Sequence, residues 1–117
     1  MKLVNEEDRG IDGRGKYGLV FYDIEGYEGP RSILELISLL KEKVPVIGNI
    51  SVEPVSDHSC REEAHNYSSY GELEANQHDF LYQDIEFITL FGLDGSGKTI
   101  MVGINLGKRT VGISRSL

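Results

Sequence analysis

The sequence predicts an α+β domain with a mostly antiparallel sheet, and three observations support this class. Residues 31 to 43 have the apolar spacing of one main amphipathic helix. Several other stretches alternate apolar and polar residues at the period of a strand, and the last three follow one another closely enough to form an antiparallel meander. Fourteen glycines among 117 residues suit sharp turns better than a helical bundle. The length and the 39% apolar content predict a single domain, 1–117.

The helix has clear limits in the sequence. Its apolar stripe recurs at i, i+3, i+4 and i+7, at Ile33, Leu36, Ile37 and Leu40. Pro30 suits the first turn, and Ser32 with Glu35 predicts a capping box. Val44-Pro45 predicts the end of the helix. We expect the apolar stripe to pack on one face of the sheet.

The strands are predicted from alternation and from β-branched or aromatic content. Residues 1 to 16 allow a short first strand, and residues 17 to 24 form a second. The segment 46–55 contains Pro54 and predicts an edge strand. The three strands of the C-terminal meander lie at residues 85 to 91, 100 to 104 and 110 to 113. The first of these is apolar on both faces near its end, so we expect it to be central.

Two short helical turns are predicted in the polar segment between the edge strand and the meander. They lie at residues 59 to 66 and 69 to 75. Each begins with a serine that is followed three residues later by Glu62 or Glu72, which is the capping-box spacing.

Residues 92 to 99 match the phosphate-loop pattern, in which two glycines five apart precede Lys and Thr. A working phosphate loop leads into a helix, because the helix N-terminus contributes the N–H donors. Here the β-branched alternation after Thr99 predicts a strand instead. We therefore interpret the motif as a turn between two strands. Anion, nucleotide or small-ligand binding remains the alternative, with Gly95, Gly97, Lys98, Thr99 and Lys16 as its residues.

The same motif occurs twice. Residues 10 to 24 align without gaps on residues 92 to 106, and both copies contain Asp-Gly-x-Gly-Lys. The first copy has Tyr17 where a phosphate loop requires Ser or Thr. Asp-Gly is a strong hairpin signal, because glycine accepts positive φ. The repeat therefore favours a shared turn-and-strand unit.

Charge is the most informative functional feature of the chain. The formal net charge is -7, and residues 53 to 86 hold nine acidic residues against Arg61 alone, or -8. Tyrosines are interleaved with these carboxylates, a composition typical of a surface that binds a basic protein. A solvated acidic loop is the alternative. The residues predicted to bind the partner are Asp57, Glu62, Glu63, Tyr67, Tyr70, Glu72, Glu74 and Asp79.

The leading hypothesis is a small acidic binding protein, an immunity or antitoxin-type inhibitor that masks a basic partner such as a nuclease toxin. The spacing of His58, Cys60, His65 and His78 matches no zinc pattern, so no metal, cofactor or catalytic set is predicted. The negative charge argues against nucleic acid. We find no signal peptide and no apolar run long enough to cross a membrane, and a single cysteine favours a reducing compartment, so we expect a soluble cytoplasmic protein.

Overall fold

The computed structural model describes residues 1–8, 20–45, 47–55 and 64–115. Its strands, in chain order, are β1 Lys2–Asp8, β2 Val20–Glu25, β3 Ile47–Pro54, β4 His65–Tyr67, β5 Ile85–Leu93, β6 Thr99–Asn105 and β7 Thr110–Arg115. The two α-helices are α1 Ile33–Lys43 and α2 Tyr70–Ala75, and the short 3-10 helices are Pro30–Ser32 and Gln77–Asp79.

The described strands form one antiparallel sheet in the order β1-β2-β7-β6-β5-β3-β4. Every neighbouring pair is antiparallel, and β5, β6 and β7 form the predicted meander. The predicted fold class, an α+β fold with a mostly antiparallel sheet and one main helix, is confirmed.

The hydrophobic core lies between one face of the sheet and the two helices. In β6 the alternation is complete, since Ile100, Val102 and Ile104 are buried while Met101 and Gly103 are exposed on the other face. All four residues of the predicted helical stripe are buried in the same cluster as these strand residues. The helices thus cover one face, and the opposite face of the sheet carries the alternate residues.

The start of α1 differs from the prediction, although Val44 ends the helix as expected, its N–H donating to the Leu40 carbonyl. Pro30 begins a 3-10 turn that continues directly into the helix, so Ser32 has helical dihedral angles and its side chain makes no cap. The Ser32 Oγ instead accepts from the Glu28 N–H at 3.0 Å. Glu35 pairs with the amino group of Met1 at 3.1 Å. The predicted capping box is therefore wrong here.

The segment predicted as an edge strand lies inside the sheet. It is β3, and it pairs with β5 on one side and with the three-residue β4 on the other. The sequence predicted a helical turn over His65 and Asn66, but these residues pair with Val52 and Ser51 in the sheet. Pro54 is compatible with this interior position, because it follows a register shift and lies beyond the reach of β4. The remaining part of that predicted turn, residues 59 to 63, lies outside the described residues.

The second predicted helical turn is confirmed. It is α2, and the Ser69 Oγ accepts from the Glu72 N–H at 3.1 Å. The strand expected to be central, β5, is an interior strand, and β6 is the middle strand of the described sheet.

Candidate binding surface

The described part of the predicted acidic surface lies on α2 and the turn that follows it. Glu72 and Glu74 are exposed on α2, and Asp79 is partly exposed in the second 3-10 helix. Leu73 and Phe80 point inward from the same segment and are fully buried. The segment therefore presents carboxylates on a packed scaffold. The other predicted acidic residues, Asp57, Glu62 and Glu63, lie outside the described residues.

The two tyrosines predicted as surface anchors are core residues. The Tyr67 hydroxyl donates to Asp79 Oδ2 at 3.2 Å, and its ring meets Phe80 edge-on at a centroid distance of 6.0 Å. The Tyr70 hydroxyl donates to the Val44 carbonyl at 2.9 Å, where α1 ends. Both rings are buried. Because they hold α2 and its turn against the core, they are not available as aromatic contacts for a partner.

Burial and charge also perturb these phenols. Burial raises the pKa of Tyr67 to about 12, with a further contribution from the charge and hydrogen bond of Asp79. Burial likewise raises the pKa of Tyr70. Both groups therefore stay neutral hydrogen-bond donors at physiological pH.

Glu72 stabilises the start of α2 and stays charged. Its Oε2 accepts from the Ser68 N–H at 2.7 Å and from the Ser68 hydroxyl. These hydrogen bonds lower the pKa of the Glu72 carboxyl, because they favour the ionised form. Within the described residues, Oε1 has no bonded partner. Glu72 lines a shallow concave region of about 370 Å³ together with Asn49, Asn66 and their neighbours.

The remaining carboxylates of this surface are at least partly exposed. Glu74 pairs with Lys41 of α1 at 3.2 Å, and both side chains are largely exposed. Asp79 lies 3.2 Å from His78 Nε2. Asp84 is exposed in the turn before β5. Exposed ion pairs contribute little stability, so these contacts leave the carboxylates accessible to a partner.

The sheet face opposite to the helices, called the open face below, carries an apolar cluster that the sequence analysis missed. Phe91 of β5 stands directly opposite Met101 of β6, and Leu93 follows two residues along β5 on the same face. Their exposed fractions are 52%, 50% and 49% respectively. A signal was present in the sequence, because β5 is apolar on both faces while the one main helix that the sequence predicts packs on one of them.

The Asp-Gly-x-Gly-Lys motif at residues 94–98 forms the turn between β5 and β6, as predicted. Gly97 has a φ of +83°, which glycine accepts readily. Asp94 Oδ1 accepts from the Ser96 N–H at 2.9 Å, the Ser96 hydroxyl at 2.7 Å and the Lys98 N–H at 3.0 Å. The strand β6 begins at Thr99, in place of the helix that a phosphate loop requires.

These contacts bear on the anion-binding alternative at Gly95, Gly97, Lys98 and Thr99. The hydrogen bonds from Ser96 and Lys98 lower the pKa of the Asp94 carboxyl. This carboxylate therefore takes the position in the turn that a bound anion would need. It already uses two backbone N–H donors that a bound phosphate would need. An external anion would have to displace Asp94 and would meet its negative charge. Lys16, the residue of the first copy, lies outside the described residues.

The sequence repeat corresponds to equivalent positions in the sheet. Residues 10 to 19 of the first copy lie outside the described residues, but its strand β2 and the second-copy strand β6 flank β7 on opposite sides. The aligned residues Val20 and Val102 both pair with Ile113. The repeated unit therefore supplies two strands with the same register against a shared neighbour.

Other site types find no support in the described part of the chain. His65 lies in β4 and His78 in a 3-10 helix, and no group of three or more His, Cys, Asp or Glu there could hold a metal. His58 and Cys60 fall outside it. No described helix has the length and apolarity to cross a bilayer. No family model matches the chain, and no curated protein or solved structure shows significant similarity to it.

Proposed function

We propose that the protein binds a basic protein partner through its acidic surface, defined by Glu72, Glu74, Asp79 and Asp84. The observation that supports this most is the sorting of side chains along residues 64–86. Glu72, Glu74 and Asp84 are exposed and Asp79 is partly exposed, whereas the large apolar residues Leu73, Phe80 and Ile85 and two of the three tyrosines are buried. The segment contains no lysine or arginine. A negative surface attracts a positive partner, and because the packed core already holds these carboxylates in place, binding does not have to order them first.

The class of partner follows from charge. A nuclease exposes a basic surface that is complementary to phosphate, and a fixed array of carboxylates competes for the same lysines and arginines. We therefore propose an immunity or antitoxin-type inhibitor that masks such a toxin. A cytoplasmic location accords with this role and with the single cysteine of the sequence.

The test begins with affinity purification of the tagged protein from its native host. Each captured basic protein is then produced separately, and its association rate is measured against the wild type and the Glu74→Lys/Asp84→Lys variant. Neither side chain caps a helix or lies in the core, so the variant is expected to fold. We expect its association rate to fall by about tenfold or more at low salt, with a weaker salt dependence.

A matched control separates local complementarity from net charge. Glu25 is an exposed carboxylate on β2, near the sheet edge opposite to α2 and β4, and its contact with Lys2 is at the surface. Glu25→Lys changes the net charge by the same amount as the single Glu74→Lys variant. It should change the association rate by less than about threefold, and by less than Glu74→Lys does. The proposal is wrong if the Glu74→Lys/Asp84→Lys variant binds as fast as the wild type, or if no basic protein binds directly.

A further inference from the structure

We infer that the open-face cluster of Phe91, Leu93 and Met101 is the central contact of the same interface. In this interface it takes an apolar side chain that the basic partner presents beside a lysine or arginine. The inference rests on the proposed function, because the acidic surface supplies the contact for the cation. It adds the apolar anchor that the buried tyrosines cannot provide.

The cluster leaves apolar side chains exposed to water. Phe91 and Met101 form a direct cross-strand pair, and each remains about half exposed. Cross-strand apolar pairs on an uncovered sheet face retain contact area that a partner can bury. Such clusters surrounded by polar groups are typical of interaction sites, where a few central residues supply most of the binding energy.

The cluster is continuous with the acidic surface. Phe91 pairs across the sheet with Asn49 of β3, and Asn49 Nδ2 donates to Asn66 Oδ1 of β4 at 3.4 Å. Both asparagines line the concave region that contains Glu72. Neighbouring strands are about 4.8 Å apart, so Met101 lies roughly 10 Å from Asn49. A partner's apolar side chain and an adjacent lysine span such a distance.

The connection between the two surfaces is rigid. At Gly48 a Cβ atom would lie 2.2 Å from the Phe91 carbonyl oxygen. The backbones of β3 and β5 are therefore so close at this point that only glycine fits there without displacing one of the strands. The pairing of β3 with β5 places Asn49 directly opposite Phe91. The apolar cluster and the carboxylate of Glu72 are therefore held at a set spacing before the partner arrives, which reduces the ordering cost of binding.

Charge decides between a basic partner and a second copy of the chain. A second copy would bring its own acidic surface, with a formal net charge of -7, alongside the same cluster. Like charges at such a contact oppose association. A basic partner pairs a cation with Glu72 while burying Phe91 and Met101.

The test uses two short synthetic peptides that are equal in length and lysine content. One has leucine and the other serine between the lysines, and their affinities are measured by fluorescence anisotropy. We expect the wild type to bind the leucine peptide about tenfold tighter than the serine peptide. A Phe91→Ser/Met101→Ser variant should lose this preference, and the milder Met101→Gln variant should reduce it. The matched control is Val55→Ser, because Val55 is 51% exposed but lies past the end of β3.

The outcomes separate the inference from the proposed function. If the Phe91→Ser/Met101→Ser variant keeps the leucine preference, the inference is overturned. The proposed function still stands in that case if Glu74→Lys/Asp84→Lys weakens both peptides equally. If neither variant changes either affinity, both proposals fail. Sedimentation velocity tests whether a second copy of the chain occupies the cluster. If the wild type is a dimer and the Phe91→Ser/Met101→Ser variant is a monomer, the cluster serves self-association and the inference is overturned.

Discussion

Replacing Gly48 by alanine tests the close approach of β3 to β5, which sets the spacing between Asn49 and Phe91. Gly48 has a φ of +152°, and a Cβ atom there would lie 2.2 Å from the Phe91 carbonyl oxygen and 2.7 Å from Gly92 Cα. Ordinary contact begins at 3.4 Å, and both opposing atoms belong to the backbone of an interior strand. The two strands would therefore have to separate by more than about 1 Å.

The magnitude follows from two costs. A strained backbone conformation costs about 1–3 kcal/mol, and overpacking costs about another 1–3 kcal/mol. We expect Gly48→Ala to lower the free energy of unfolding by roughly 3 kcal/mol. A chain of 117 residues has an unfolding entropy of about 0.25 kcal/mol/K near its midpoint, so the thermal midpoint should fall by roughly 12 °C.

Gly103 supplies the matched control. It lies in β6 on the open face, it has no positive φ, and a Cβ atom there would meet nothing within 4 Å. Gly103→Ala should change the free energy of unfolding by less than about 1 kcal/mol. Thermal and urea unfolding followed by circular dichroism measure both variants. Midpoints that agree within about 3 °C would refute the close strand contact.

Tyr70→Phe should lower the free energy of unfolding by about 1–2 kcal/mol in urea, because the buried Val44 carbonyl loses its donor, whereas Tyr82→Phe should have no effect since that ring is 89% exposed. The pKa of Tyr67 is about 12 in the folded protein against 10.0 in the unfolded chain, so the folded state favours the neutral phenol. The resulting contribution to the free energy of unfolding is complete below pH 10 and is lost as the pH rises toward 12. Urea unfolding across that range should show the loss, and Tyr67→Phe should reduce it. Phosphate and ATP should leave the thermal midpoint unchanged, because Asp94 already occupies the turn donors, and a shift that Lys98→Ala abolishes would restore the anion-binding alternative.

The elements that the sequence predicted well are those with strong local periodicity. The stripe of α1 is buried as its spacing requires, and the strict alternation of β6 identifies both faces of the sheet. The turn at residues 94–98 was also predictable, because β-branched residues follow Thr99 where a phosphate loop needs a helix.

The errors concern hydrogen-bond partners that the local sequence pattern does not specify. The three residues of β4 carry no strand period of their own, and they become a strand by pairing with β3, which moves β3 away from the sheet edge. Ser32 was expected to cap α1, but the preceding 3-10 turn leaves its Oγ to bond with Glu28. Neither partner is specified by the capping-box spacing or the strand period of the segment itself.

The site was harder to predict than the fold, because the composition of a segment does not show which of its side chains point into the core and which point to solvent. Tyr67 and Tyr70 lie among carboxylates in the sequence, yet their rings are buried while Glu72 and Glu74 are exposed. The apolar cluster around Phe91 consists of residues that the sequence presents as core. Its exposure follows from its position on the sheet face opposite to the described helices.

We propose that the acidic surface and the adjoining apolar cluster together bind a basic protein. NMR chemical-shift mapping of the labelled protein, titrated with a purified partner from the native host, tests this most directly. We predict that the largest shifts occur at the amides of Glu72, Glu74, Phe91 and Met101. Shifts confined to β1 and β2, which lie at the sheet edge farthest from β4, would contradict this proposal.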